Sequence, residues 1–146
     1  MSERPVPAAR ESYRAFVPVT TRWHDNDVYG HVNNVIYYAF FDTAVNQLLV
    51  KAGVLDPVGN STVGLVVETR CTYFASIAFP DEIEVGVRVA NLGRSSVRYD
   101  LGIFCKGEAQ SRARGEFTHV YVDRASQKPV PIPDDFRAVL RTLIGE

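Results

Sequence analysis

Residues 35–52 constrain the fold more than any other stretch of this 146-residue chain, because they form its one long segment with helical periodicity. At about 100° per residue, Ile36, Tyr37, Phe40, Phe41, Ala44, Val45, Leu48, Leu49 and Ala52 cover a broad arc. Asp42, Thr43, Asn46, Gln47 and Lys51 fall largely on the remainder. A helix with so wide an apolar face must be covered on several sides. Asn33 or Asn34 can cap its start, and Gly53 suits the position just past its end.

The cover is written in the rest of the chain. Residues 13–23 alternate apolar and polar, with Pro18 marking an edge or a bulge. Residues 62–74, 82–90, 96–106 and 109–122 are rich in Val, Ile, Tyr and Thr and are separated by turn signals. Short turns between consecutive strands predict antiparallel pairing. Residues 134–144 read as a short terminal helix, and residues 1–12 as a loose tail ahead of a single domain over 13–146. The expected fold is α+β: an antiparallel sheet of about five strands wrapped around one long central helix. A single sheet used this way leaves an outer face to cover, which favours an oligomer.

Composition removes several classes of function. The net charge of −1 gives no global attraction to nucleic acid or to an anionic membrane, so an anionic ligand must be held by local cations. Cys71 and Cys105 sit in apolar strand-like runs and read as buried free thiols. No basic-plus-apolar leader opens the chain and no apolar run is long enough to span a bilayer, so a soluble, cytoplasmic setting is the default expectation.

The chemistry is concentrated in residues 22–34, Arg-Trp-His-Asp-Asn-Asp-Val-Tyr-Gly-His-Val-Asn-Asn, immediately before the helix. The helix start offers unpaired N–H groups and partial positive charge, a ready site for a carbonyl oxygen that becomes negative during reaction. Asp27 lies one short loop away, where a carboxylate can attack an acyl carbon or activate water. His31 can orient ligand or water, Asn33 and Asn34 can donate hydrogen bonds, and Gly30 lets backbone approach a ligand. Asp25 reads as structural, a partner for Arg22. Val28, Tyr29, Tyr37 and Phe40 would border a ligand pocket beside this loop, although core packing explains them equally well. His24, Asp25, Asp27 and His31 match no compact metal motif, so no metal is expected. Arg94 and Arg98 suit a phosphate-bearing ligand or simply a charged hairpin, and His119 reads as a strand residue on a wet face. There is no Ser-His-Asp elbow, no Cys-His pairing and no Gly-rich phosphate loop.

The pattern Asp25-x-Asp27-x-x-x-His31-Val32-Asn33-Asn34-x-x-Tyr37 ahead of an apolar helix resembles the signature of hotdog-fold acyl-CoA thioesterases, the 4-hydroxybenzoyl-CoA thioesterase-like superfamily. Residues 73–85 and the Leu92-Gly93-Arg94-Ser95-Ser96-Val97 stretch are also similar to that family, and the likeness runs over roughly residues 13–125. The resemblance implies hydrolysis of an acyl-CoA, with coenzyme A a part of the substrate and no separate cofactor. It places the nucleophile or general base on Asp27 and the carbonyl-polarising amides near Asn33 and Asn34. It puts Gly93, Arg94, Ser95 and Ser96 near the coenzyme A phosphates and the sites between subunits of a dimer or tetramer. His-Val-Asn-Asn after the glycine is more similar to acyl-carrier-protein and general acyl-CoA thioesterases than to the aromatic-acyl subgroup. Glu68, read from its strand position as solvated or interfacial, gains a possible acid-base role because some thioesterases of this fold use a Glu from another element. The rival readings are a hotdog dehydratase or hydratase and a non-catalytic acyl-CoA binding module; release of free thiol separates hydrolysis from both.

Overall fold

The computed structural model describes residues 4–145. Five strands, β1 (Ala15–Thr20), β2 (Thr62–Tyr73), β3 (Glu82–Leu92), β4 (Ser96–Cys105) and β5 (Ala113–Asp123), form one antiparallel sheet in the order β1-β3-β4-β5-β2. Helix α1 (Asn34–Lys51) crosses one face, and α2 (Asp134–Arg141) closes the far end. This is the expected architecture.

Alternation explains the packing. Ile83, Val85, Val87 and Val89 of β3 and Val97, Tyr99, Leu101 and Ile103 of β4 are all essentially buried in one cluster with α1. The helix contributes Tyr37, Phe40, Phe41, Ala44, Val45 and Leu49, a stripe at i, i+3, i+4 spacing that is narrower than the full apolar arc. It sits close to the sheet because Gly115 has no side chain: a Cβ there would come within 2.8 Å of Phe41 Cζ. Asn33 caps α1, its Oδ1 accepting from Val35 N–H at 3.0 Å, and Gly53 follows the helix at φ +82°. Pro18 lies in β1, at the sheet edge, where a missing N–H is tolerated.

Two expectations change. A loose tail was expected over residues 1–12; residues 1–3 lie outside the described residues, but residues 8–12 are docked. Ala8 N–H donates to Ser111 Oγ at 2.9 Å, and the Arg10 guanidinium pairs with Glu84 and lies about 5 Å over the rings of Phe16 and Phe104. The Tyr13 ring that follows lies against Gly86 and Gly102, paired across β3 and β4, so the chain supplies part of its own cover for the outer face. The second change is in β2. Strict alternation puts Glu68 opposite Val63 and Leu65, but the register shifts at Val67, so that Leu65 pairs with Val120 and Glu68 with Thr118 on one face. The other side of β2 is unpaired, and Leu65, Val66 and Val67 stand 39%, 45% and 60% exposed along it.

Candidate active site

The loop before α1 is held by its own polar groups. Asp25 is fully buried; its carboxylate accepts from Arg22 N–H at 2.7 Å and from the Arg22 guanidinium at 2.9 and 3.1 Å. Asp25 carbonyl accepts from Asn33 N–H at 2.9 Å, tying this knot to the helix cap. Asp25 is therefore structural, as its spacing to Arg22 suggested. Between them the chain makes a tight hairpin: Asp27 N–H donates to His31 carbonyl and Gly30 N–H to Asp27 carbonyl, both at 3.0 Å. Gly30 holds φ +82°, a left-handed conformation that glycine adopts without strain. The hairpin is anchored on residues 77–79, through Val32 N–H to Ile77 carbonyl and Phe79 N–H to Asn26 Oδ1.

This scaffold presents Asp27 to the start of α1. One carboxylate oxygen accepts from Tyr29 N–H at 2.9 Å; the other lies 3.4 Å from Asn33 Nδ2. Asn33 thus joins the carboxylate to the first turn of the helix. It engages the Val35 N–H through its side chain and the Ile36 N–H through its carbonyl, leaving the Asn34 N–H as the donor the cap does not use. Asn34 faces an open cleft of about 330 Å³ lined by Val32, Asn34, Tyr37, Tyr73, Phe74 and neighbouring backbone. The Tyr73 hydroxyl donates to Asn34 carbonyl at 3.2 Å, and burial raises its pKa, so it stays a donor. Burial also pushes the nearby Cys71 thiol up to about 11, which keeps it from acting as a thiolate nucleophile near neutral pH.

The other expected residues are distributed unevenly. Tyr37 is buried and lines the cleft. His31 is exposed and meets Asp27 through its carbonyl rather than its ring. Val28 and Tyr29 stand at the hairpin tip, 93% and 84% exposed, and do not line the cleft of the single chain. Glu68 is exposed on β2, five residues from Tyr73. The 93–96 turn is closed by Gly93 N–H to Ser96 carbonyl at 2.8 Å and braced by the Arg137 guanidinium on the carbonyls of Gly93 and Arg94. It lies at the opposite end of the sheet from the helix start: Tyr73 pairs with Ala113 and Ser96 with Val120, seven residues along β5, or about 24 Å at ~3.4 Å per residue. Among the described residues, no cluster of three or more His, Cys, Asp or Glu side chains is placed to hold a metal, and no helix is long and apolar enough to cross a membrane.

His119 is where the reading from sequence fails. It is 3% exposed, not on a wet face, and its ring centroid lies 5.4 Å from that of Tyr99. The signal was present: Phe117, His119 and Tyr121 share one parity along β5, and that parity faces α1. Burial lowers the His119 pKa, with the Asp42 carboxylate pulling weakly the other way. The sign follows. Below the unfolded value of about 6.5 the unfolded chain takes up a proton that the folded chain resists, so stability falls as pH drops, by at most ~1.4 kcal/mol per pH unit. Thermal unfolding from pH 7.5 to 5.5 should show a shallower loss of Tm in His119→Gln than in the parent; equal slopes would show that His119 does not set this dependence.

Comparison with known proteins agrees with this fold. Residues 21–140 match the model of the Thioesterase-like superfamily. The fold is similar to that of the PA5185 protein from Pseudomonas aeruginosa strain PAO1, with 53% identity and a TM-score of 0.95 over 97% of this chain and 99% of that one. It is also similar to a thioesterase from Thermus thermophilus complexed with coenzyme A and Zn, with 31% identity and a TM-score of 0.74 over 91% and 96% of the two chains. The Bacillus subtilis (strain 168) protein YsmA, itself uncharacterized, is 25% identical over 90% of this chain and 88% of its own length. A family match that takes in the polar hairpin, the central helix and every strand beyond it concerns the domain as a whole: this chain belongs to the Thioesterase-like superfamily and has the hotdog fold.

Proposed function

We propose that this chain hydrolyses an acyl-CoA thioester to the free acid and coenzyme A, with Asp27 as nucleophile or general base. The observation that carries this reading is the short link from the Asp27 carboxylate through Asn33 to the first turn of α1. The thioester carbonyl oxygen accepts from the amide at Asn34, where charge developing on oxygen is favoured by the helix start. Asp27 either attacks the carbonyl carbon, giving an acyl anhydride that water then cleaves, or takes a proton from a water that attacks. In both routes the C–S bond breaks and the thiolate leaves. A thiol of pKa about 8.5 is a good enough leaving group that no strong general acid is needed. His31 and Asn34 orient the reacting groups. The relative that carries coenzyme A supports a substrate of that class.

A second copy completes the site in this reading. The free edge of β2, with three successive exposed apolar residues, is an unprotected pairing surface. Two-fold antiparallel pairing along it reverses the second sheet, bringing that copy's 93–96 turn to the end where this chain holds Asp27. Arg94 then meets the phosphates of coenzyme A, and Val28, Tyr29 and Glu68 gain contacts across the interface. A cytoplasmic setting, in which both cysteines stay free, belongs to the same reading.

The test is to incubate the purified protein with a panel of acyl-CoAs and follow free thiol. Release of thiol supports the proposal; no release from any member, or water addition without it, overturns it. Val67→Lys puts a charge on the pairing edge and is expected to give a monomer by light scattering and at least a tenfold loss of turnover. A Val67→Lys protein that is still dimeric would place the interface elsewhere.

A further inference from the structure

The first carbonyls of a helix need no outside help, because residues one turn on donate to them; it is the N–H groups that are orphaned. Asn34 opens α1, so its carbonyl takes the Tyr38 N–H in the ordinary helical ladder. The Tyr73 hydroxyl donates to the same oxygen at 3.2 Å, from 39 positions away on β2. This second bond rescues no orphan. The carbonyl already has a partner, and a tyrosine that is 42% exposed can turn its hydroxyl to water. What the bond adds is a constraint on where the helix starts.

The peptide joining Asn34 to Val35 is held at both ends. Its N–H donates to Asn33 Oδ1 at 3.0 Å, and Asn33 Nδ2 lies 3.4 Å from the Asp27 carboxylate. Its carbonyl takes the Tyr73 hydroxyl. One end thus ties the first turn of α1 to the loop that carries Asp27, and the other ties it to the sheet. Both Asn34 and Tyr73 line the cleft. Tyr73 is itself well anchored. Its ring meets the buried Tyr37 ring edge-on, with centroids 4.9 Å apart. It ends β2 paired with Ala113, and the next two amides, Phe74 and Ala75, both donate to Arg112 carbonyl, at 2.9 and 3.1 Å. The Arg112 guanidinium in turn holds the Glu108 carboxylate at 2.7 and 2.8 Å and Ser76 carbonyl at 2.6 Å.

We propose that Tyr73 is a positioning residue for the hydrolysis: its hydroxyl, acting through the Asn34 carbonyl, sets the first turn of α1 against the sheet so that the Asn34 N–H and the Asp27 carboxylate address one thioester carbonyl. This rests on the thioesterase reading above. Tyr73→Phe keeps the ring against Tyr37 and removes only the hydroxyl. Because Asn34 carbonyl keeps its helical partner, Tm should move by no more than ~2 °C. With acyl-CoAs, kcat should fall about tenfold or more, since small misplacements of reacting groups are costly, while KM stays within about twofold. A kcat within about twofold of the parent overturns the proposal. So does a rise in KM at unchanged kcat, which would make Tyr73 a plain binding contact.

A pH profile adds a readout that packing alone would not move. The Tyr73 phenol, whose titratable neighbours are Cys71, Tyr38 and Tyr37, stays protonated because burial raises its pKa. A ring-fluorinated tyrosine at position 73 is more acidic and nearly the same shape. It should lose kcat at alkaline pH before the parent does, because a phenolate cannot donate; coincident alkaline limbs would overturn the assignment. Hydrogen exchange keeps the two claims apart. In Tyr73→Phe the amides of the first turn of α1 should exchange at least tenfold faster, with β3 and β4 unchanged. Faster exchange there, in a protein that releases no thiol from any acyl-CoA, removes the hydrolysis reading and leaves the tether standing. Unchanged exchange refutes the tether whatever the activity.

Discussion

Asp27→Asn is expected to fold as the parent does and to release thiol ~10²–10⁴-fold more slowly, the range for losing a positioned nucleophile or general base. The structural reason for the separation is that Asp27 has two jobs. As a turn residue it accepts from Tyr29 N–H, and a carboxamide oxygen can accept that bond equally well. As a chemical group it supplies a negative oxygen beside the start of α1, which a carboxamide cannot. Thermal unfolding should move by no more than ~1–2 °C, consistent with a neutral swap at a turn, and coenzyme A should bind with unchanged affinity. Turnover within tenfold of the parent would remove Asp27 from the chemistry. Asp27→Ala is the less informative variant, because it also deletes the acceptor that closes the turn.

The second large effect is on stability. Gly115 on β5 sits directly beneath Phe41 of α1, and a side chain there has nowhere to go. Gly115→Val should cost about 1–3 kcal/mol or more by overpacking a full core, lowering Tm by roughly 5–10 °C at this chain length. The consequence reaches the site. The helix must lift from the sheet, and with it Asn33, whose side chain bonds both the first helical turn and Asp27. Turnover should therefore fall well below the melting transition, where the protein is still folded. A Gly115→Val protein with parental Tm would show that α1 does not depend on close approach at this point. A low Tm with full activity in the folded range would show that helix position and chemistry are uncoupled.

Most of the frame was legible because it rests on local periodicity. The α1 boundaries differ from the pattern by one residue at each end, and the Asn33 cap and the Gly53 stop are where side-chain chemistry puts them. What escaped depends on which residues stand opposite one another across the sheet. Docking of residues 8–12 and Tyr13 needs Gly86 and Gly102 to be cross-strand neighbours, which no single strand announces. The shift at Val67 reverses the side on which Glu68 lies, and a bulge in an all-apolar run has no marker residue. His119 is a different case: its neighbours Phe117 and Tyr121 give the right parity, and the packing of β5 against α1 overrides the usual preference of histidine for the surface. The site itself divides the same way. Asp25, Asp27 and Asn33 converge because they are close in sequence, whereas Glu68 and the 93–96 turn lie far from them in one chain and, in the proposed dimer, meet them only through a second copy.

The central claim concerns where the acyl carbon sits, so it is tested most directly by a crystal structure with a ketone analogue of an acyl-CoA, in which CH2 replaces the thioester sulfur. The carbonyl oxygen should lie about 2.7–3.1 Å from an amide at the start of α1. An Asp27 carboxylate oxygen should lie ~3–3.5 Å from the carbonyl carbon, or from a water aligned on it. A carbonyl bound more than about 6 Å from Asp27, with no such water between them, would contradict the claim.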